Sequence, residues 1–243
     1  GKLENLATGE NLHSTRFMGD KCYLVTFKKT DPLFVIDLSK PNAPTKLGEL
    51  HIPGYSDYLH PYDENTLIGV GKETVEADKG DFAYYQGLKL SLFDVSNVNN
   101  PRQLSKIVIG DRGTDSPVLS DPKAFLFDKS RNLLVIPVQL YVINKTEPVE
   151  QWAYGQFAWQ GVYVFDVTLT GGFAVKGNVT QMDNAEALLA DPSLAVRDYQ
   201  LVNYDQWVNR ALYIGSTLYT VSNSRVQLNS LNNFALMARI DLN

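Results

Sequence analysis

The stretch LFVIDLSKPNAPTKLGEL, residues 33–50, decides the fold because its pattern returns later in the chain. Residues 90–107, LSLFDVSNVNNPRQLSKI, repeat it: an apolar strand ends in Asp, a Ser follows two residues on, and a Pro and a Leu come next. Asp37 and Asp94 stand 57 residues apart, and the Ser, Pro and Leu after them keep that offset. A third copy of the strand lies at 161–168 and a weaker fourth at 234–241. A period of this length is typical of repeat architectures.

A hairpin precedes each copy of this strand, so each unit reads as strand, tight turn, strand, loop, strand ending in Asp, turn and strand. That is one four-stranded blade. We therefore predict an all-β fold, a β-propeller of about four four-stranded blades or a segment of a larger propeller. The blades fall at about 11–54, 55–110, 118–182 and 207–243, within a single domain over 1–243. One short helix is predicted near 184–191, with Asp183 and Glu186 as a capping box and Pro192 at its end.

Composition limits the function classes. The formal net charge of −5 argues against a partner such as nucleic acid, whose phosphates need a basic surface. The longest apolar runs are far shorter than the roughly 20 residues of a membrane helix, so no transmembrane segment is predicted. The single cysteine, Cys22, excludes an intrachain disulfide and is expected to be buried as a small apolar residue.

Several motifs resemble a known family. Residues 33–48 resemble the LVIVD-type β-propeller repeat. The runs RFMGD (16–20), DPLFVID (31–37) and GYSDYLHP (54–61) are similar to the secreted β-propeller domain proteins of archaea and bacteria, which are distantly related to WD40 repeats. The resemblance implies an extracellular or cell-surface propeller, usually with more than four blades. It carries over no catalytic residue, so the chain is expected not to be an enzyme, although the question stays open.

Candidate site residues on the blades are His60, Asp57 and Asp121. Asp57 and Asp121 precede inner strands of successive blades, and His60 stands in one such strand, where it could face a central channel. Two carboxylates at such a face could serve as the acid and base of a glycosidase. The competing interpretation is that they cap turns, which we also expect of the repeat residues Asp37 and Asp94.

Two insertions, residues 72–86 and 141–160, break the period at the same place in their blades. The second contains Trp152, Tyr154 and Trp159, and the first contains Tyr84. Because insertions in repeats emerge on one face, we predict that two aromatic ribbons form the rim of a binding surface, with Trp152 and Trp159 as anchors. The competing interpretation is that these aromatics cover the outside of their own blades.

The leading functional hypothesis is a non-enzymatic binding or scaffold propeller outside the cytoplasm, monomeric, with a protein or glycan ligand. The alternative is a carbohydrate-active enzyme or lectin that uses one propeller face. No cofactor is predicted. Calcium is the one ion considered, because residues 111–116, DRGTDS, space two carboxylates four apart around a glycine.

Overall fold

The computed structural model describes residues 1–28, 31–144 and 148–242, and its strands form four four-stranded antiparallel sheets. Each sheet is built from four strands that follow one another in sequence, which confirms the predicted all-β propeller blades. The chain divides into two compact units, Gly1–Val108 and Ile109–Asn243, and each is described by itself. The single domain over 1–243 stays a prediction.

The first unit contains sheets 1 and 2, apart from the last residue of sheet 2. Sheet 1 consists of β1 (Asn11–Met18), β2 (Lys21–Phe27), β3 (Asp31–Asp37) and β4 (Thr45–Ile52). Sheet 2 consists of β5 (Tyr55–Asp63), β6 (Thr66–Glu76), β7 (Ala83–Asp94) and β8 (Arg102–Ile109).

The two sheets of the first unit share one apolar core. Val25, Leu33 and Val35 of sheet 1 pack in a cluster with Leu59 and Leu67 of sheet 2, all of them buried. Alternation along each strand sends these residues to the shared face, where burial of each side chain contributes about 1.5–3 kcal/mol. The first strands β1 and β5 lie against each other, so their side chains meet at one edge of the unit.

The second unit contains sheets 3 and 4 and a helical connection between them. Sheet 3 consists of β9 (Leu126–Asp128), β10 (Leu133–Val142), β11 (Gln156–Thr168) and β12 (Gly172–Val179). Sheet 4 consists of β13 (Arg210–Ile214), β14 (Thr217–Val221), β15 (Arg225–Ser230) and β16 (Leu236–Asp241). Valines of β10 and β11 form the core of this unit together with Val208 and Leu218.

The helical connection begins where the sequence placed it. Helix α1 spans Ala185–Ala190, and a second helix that was not predicted, α2, spans Leu194–Arg197. The predicted capping box is wrong, because α1 starts at Ala185 with Asn184 as its N-cap and makes no side-chain capping bond. Asp183 is instead bonded to Gln206 and Arg225.

The repeat aspartates fix turns, as predicted. Oδ1 of Asp37 accepts a hydrogen bond from the backbone N–H of Ser39 at 2.8 Å, and Oδ1 of Asp94 accepts one from Ser96 at 2.9 Å. An Asx side chain that bonds the backbone two residues on holds a turn locally. Cys22 is buried, which confirms the expectation for the lone thiol.

Both insertions lengthen existing strands into hairpin ribbons. The first ribbon continues β6 and β7, with Glu76 paired to Ala83 at its far end. The second ribbon continues β10 and β11 as far as the pair Val142 and Gln156, and residues 145–147 of this insertion lie outside the described part of the chain. The register shifts where each ribbon begins, between 72 and 74 in β6 and between 140 and 141 in β10. Such bulges bend and twist the strand, so they change the direction in which the ribbon extends from its blade.

Candidate binding sites

The second ribbon and the helical connection face each other across a cleft of about 620 Å³. Val142, Tyr154 and Gln156 line the ribbon side. Leu189 and Asp191 lie on the opposite side, at the end of α1 and just after it. Polar amide and carboxyl groups therefore alternate with apolar surface around the cleft, as in pockets that orient a ligand through a few polar contacts.

An aromatic pocket of about 220 Å³ adjoins this cleft, and Gln156 lines both. Its wall contains Phe157 and Trp207, whose rings stack with centroids 5.3 Å apart and an interplanar angle of 20°. Tyr204 packs against Trp207 at 4.7 Å, and Tyr141 meets Phe157 edge-on at 5.6 Å. We call the cleft and the pocket together the aromatic trough.

Large apolar side chains remain exposed along the aromatic trough. Tyr154 is 69% exposed, and Leu189, Val196 and Tyr204 are also exposed. Monomeric proteins seldom leave contiguous apolar surface in water unless it binds something. The indole Nε1 of Trp207 is buried and has no hydrogen-bond partner among the described residues. A buried unpaired donor beside such a surface is a position that a ligand acceptor can satisfy.

The loop at residues 111–116 fixes the base of the second ribbon. Oδ2 of Asp111 accepts a bond from the N–H of Ile143 at 2.8 Å, and the hydroxyl of Thr114 donates to the carbonyl of Tyr141 at 3.0 Å. The Arg112 guanidinium lies 4.4 Å from the ring centroid of Tyr154, which is within the range of a cation–π contact. This loop therefore positions one wall of the trough.

The same loop carried the calcium hypothesis. Its two carboxylates accept backbone N–H bonds, Asp111 from Ile143 and Asp115 from Ser116. In the described part of the chain, no group of three or more His, Cys, Asp or Glu side chains stands where it could hold a metal ion. Calcium at this loop stays a prediction.

Hydrogen bonds hold the helical wall of the trough. Bonds from Arg225 keep the pKa of the Asp183 carboxyl below its usual range, and Asp183 also accepts from Gln206 at 2.6 Å. At the end of α1, the Ser193 hydroxyl lowers the pKa of Asp191, which is also ion-paired with Arg197. Asp191 is therefore ionised at neutral pH, but its charge is offset by a cation.

The predicted residues of the second ribbon lie in different environments. Trp152 is 56% exposed and Tyr154 lines the cleft. Trp159 is only 5% exposed and packs edge-on against Tyr163 at 5.4 Å, inside sheet 3.

The predicted residue Asp121 lies in the turn before β9. It caps a 3₁₀ turn through the N–H of Lys123 and forms an ion pair with Arg210.

A second candidate site lies at the edge of the first unit where β1 meets β5. The register skips His13 in β1 and Asp57 in β5, so each is the extra residue of a β-bulge. The two bulged residues face each other, with His13 Nδ1 2.8 Å from Oδ1 of Asp57 and both side chains mostly buried. Bulges are over-represented at functional sites because they turn a side chain out of the regular alternation.

Arg16, Tyr58 and His60 continue this site along the same two strands. The Nε of Arg16 donates to the carbonyl of Leu59 at 2.7 Å, and its guanidinium lies 5.5 Å from the ring centroid of Tyr58. The Tyr58 hydroxyl is 2.9 Å from Nδ1 of His60. Burial, helped by the charge of Arg16, lowers the pKa of His60 to about 4. We call His13, Arg16, Asp57, Tyr58 and His60 the β1–β5 cluster.

The first ribbon adds aromatic side chains to the same unit. Tyr84 is half-buried and meets Phe82 edge-on at 5.1 Å. Tyr85 is exposed and lies 5.4 Å from Tyr55, whose ring contacts His13 at 4.2 Å. Since the two ribbons belong to different units, the predicted common rim stays a prediction.

Most residues of these sites were not predicted as ligand residues, among them His13, Arg16, Arg112 and Trp207. A signal for Arg16 was present, because this charged residue stands within a strand and is the first residue of the motif RFMGD. Nothing in the sequence indicated that Trp207 would stack on Phe157, since the two are 50 residues apart.

A family model described as a β-propeller domain matches residues 1–234. An uncharacterized protein of Methanocaldococcus jannaschii is 36% identical over 241 residues, which are 99% of this chain and 30% of that protein. An uncharacterized protein of Archaeoglobus fulgidus is 40% identical over 137 residues, 56% of this chain and 20% of that protein. The chain thus spans less than a third of the curated relatives it matches. Within the described residues, no helix has the length and apolar character needed to cross a bilayer.

Two solved structures are similar at low identity. An apocarotenoid oxygenase from Synechocystis is 8% identical with a TM-score of 0.40, covering 98% of this chain and 52% of that one. The tricorn protease is 12% identical with a TM-score of 0.29, covering 93% of this chain and 22% of that one. Scores this low carry no argument about activity.

Proposed function

Because the chain belongs to the β-propeller domain family, we propose that it is a non-enzymatic binding module that acts outside the cytoplasm. The aromatic trough is its ligand surface. The observation that carries this proposal is the exposed aromatic wall between the second ribbon and the helical connection, where Tyr154 and Tyr204 remain in water beside a stacked Trp207. The location outside the cytoplasm is supported by the family resemblance alone, and labelling of intact cells with a membrane-impermeant reagent tests it.

The chemistry of the trough fits an extended ligand with flat apolar faces and polar edges, such as a glycan or an extended peptide. Aromatic rings supply contact area at little cost in conformational entropy, and Gln156, Asn144 and Ser193 supply hydrogen-bonding groups at the cleft. The stacking of Trp207 on Phe157 and the contact of Arg112 with Tyr154 hold these rings in place before a ligand arrives. Such preorganisation reduces the entropy lost on binding.

The carboxylates around the cleft favour binding over glycoside hydrolysis. A glycosidase needs two carboxyl groups about 5–9.5 Å apart, one of them able to give up a proton. Of the described residues that line the cleft, Asp191 alone carries a carboxylate. Hydrogen bonds from Ser193 lower the pKa of Asp191, which makes it a poor proton donor at neutral pH.

The test is ligand screening on an array of neutral oligosaccharides and an array of extended peptides, followed by calorimetry of any hit. Tyr154→Ala and Trp207→Ala should each weaken binding by about 30-fold or more if these rings are hot spots. Phe17→Ala removes an exposed aromatic ring from the first unit and should leave affinity unchanged. If both trough variants are folded by circular dichroism and bind the ligand as tightly as the wild type does, the proposal is refuted.

A further inference from the structure

A half-buried arginine without a counter-charge stands in the β1–β5 cluster. Arg16 contacts the carbonyl of Leu59 through Nε, and its guanidinium lies 5.5 Å from the ring centroid of Tyr58 and hydrogen-bonds that side chain. Among the described residues, no carboxylate lies within ion-pair distance of it, whereas Asp57 on the neighbouring strand is already bonded to His13. A guanidinium removed in part from water and left without an anion is unfavourable unless something else supplies the negative charge.

Arg16 is held in one orientation by its contacts with β5. Its Nε is bonded to the carbonyl of Leu59, and Tyr58 of the same strand contacts it through the ring and through a side-chain hydrogen bond, so the orientation of the group is fixed. The terminal nitrogens of a guanidinium form a planar fork that matches the two oxygens of a carboxylate. A fork that is fixed beforehand binds with less loss of side-chain entropy than a free surface arginine.

The charges around Arg16 select a monoanion. Burial and the charge of Arg16 depress the pKa of His60, so this ring is neutral at physiological pH and adds no second positive charge. The carboxylate of Asp57 is already bonded to the imidazole of His13. A phosphate dianion would therefore meet one cation with a carboxylate close by, whereas a single carboxylate is matched by one guanidinium.

We propose that Arg16, held by Leu59 and Tyr58 beside His60, is the anchor of a site for a ligand carboxylate on the first unit. The carboxylate binds end-on to the terminal nitrogens of Arg16. Tyr58 and His60 form the floor of the site through the contact between the tyrosine hydroxyl and Nδ1. This site is separate from the aromatic trough, and neither proposal depends on the other.

The probes are N-acetylglycine and N-acetylglycinamide, which differ only in the carboxylate, together with inorganic phosphate. The readout is the imidazole resonance of His60 by NMR at neutral pH. N-acetylglycine should shift it saturably with a Kd of about 1 mM, typical of a single ionic anchor, while the amide should not. No saturable shift, an equal response to the amide, or tighter binding of phosphate would overturn the proposal.

Variants of Arg16 test whether this residue binds the ligand carboxylate or only stabilises the fold. Arg16→Gln should weaken binding of N-acetylglycine by about tenfold or more, since it removes a charge-assisted bond. Arg16→Lys keeps the charge but loses the fork, so binding should weaken by less. Arg102→Gln is the matched control, because that arginine lies in the same unit and is paired with Asp94. If Arg16→Gln does not fold, undiminished binding by folded Arg16→Lys counts against the planar fork and overturns the proposal.

Discussion

Acid should destabilise the protein through His60. Burial and the charge of Arg16 lower the pKa of this histidine from 6.5 to about 4 in the folded state. Between these values the unfolded chain binds a proton that the folded chain does not, so the free energy of unfolding falls as the pH falls from 6.5 towards 4. Because His60 is only partly buried, water screens the effect, and we expect the loss of stability to be about 1–2 kcal/mol. The contribution is fully present above pH 6.5.

Urea unfolding of the wild type and of His60→Asn between about pH 7 and pH 4 measures this term. The variant lacks the titrating ring, so its stability should fall by about 1–2 kcal/mol less than that of the wild type over this range. His51→Asn is the control, because the side chain of His51 is 55% exposed on the same unit, and it should behave as the wild type does. Titration of the His60 imidazole near 6.5 by NMR, or an identical pH dependence in wild type and His60→Asn, would refute the reasoning.

Three further outcomes are expected. Asp94→Ala should lower stability by about 0.5–2 kcal/mol in urea unfolding, because the turn loses the bonds from Ser96, and ligand binding should not change. Gly71→Ala should destabilise by more, since a Cβ there would lie 1.9 Å from the carbonyl of Tyr55; wild-type stability would show that β5 can move away. Sedimentation should give a monomer, and a stable dimer joined by edge strands would contradict the predicted monomer.

The blades were predictable because their signals are local. An apolar strand, an Asx turn and a following strand are encoded within about 20 residues, and the turn bond from Ser96 to Asp94 spans two. Because this local pattern recurs at a fixed offset, it predicted a propeller built of similar blades. The capping box failed for a complementary reason: Asp183 is drawn away from α1 by Arg225, which is 42 residues further along the chain.

The candidate sites depend on contacts that no local pattern encodes. His13 and Asp57 are 44 residues apart in the sequence. Each is the extra residue of a β-bulge, and the bulges bring the two side chains together. Trp159 stands in β11, where most residues are buried on both faces of the sheet, so alternation does not tell a core aromatic from a ligand aromatic. Tyr154 lies beyond the paired strands and is exposed.

The growth of the ribbons from existing strands has a consequence for how such a propeller can diverge. In a paired hairpin, one residue added to each strand turns every side chain beyond it to the opposite face, and two restore the original facing. The second ribbon can therefore gain or lose about four residues at a time without changing which face carries its aromatic rings. A single extra residue on one strand, like Ala158 of β11, instead shifts the alternation of that strand alone beyond this point, while the blade below keeps its register. Changes in hairpin length can thus alter the ligand surface in two ways: some keep the face that carries the aromatic rings, and others move side chains to the opposite face.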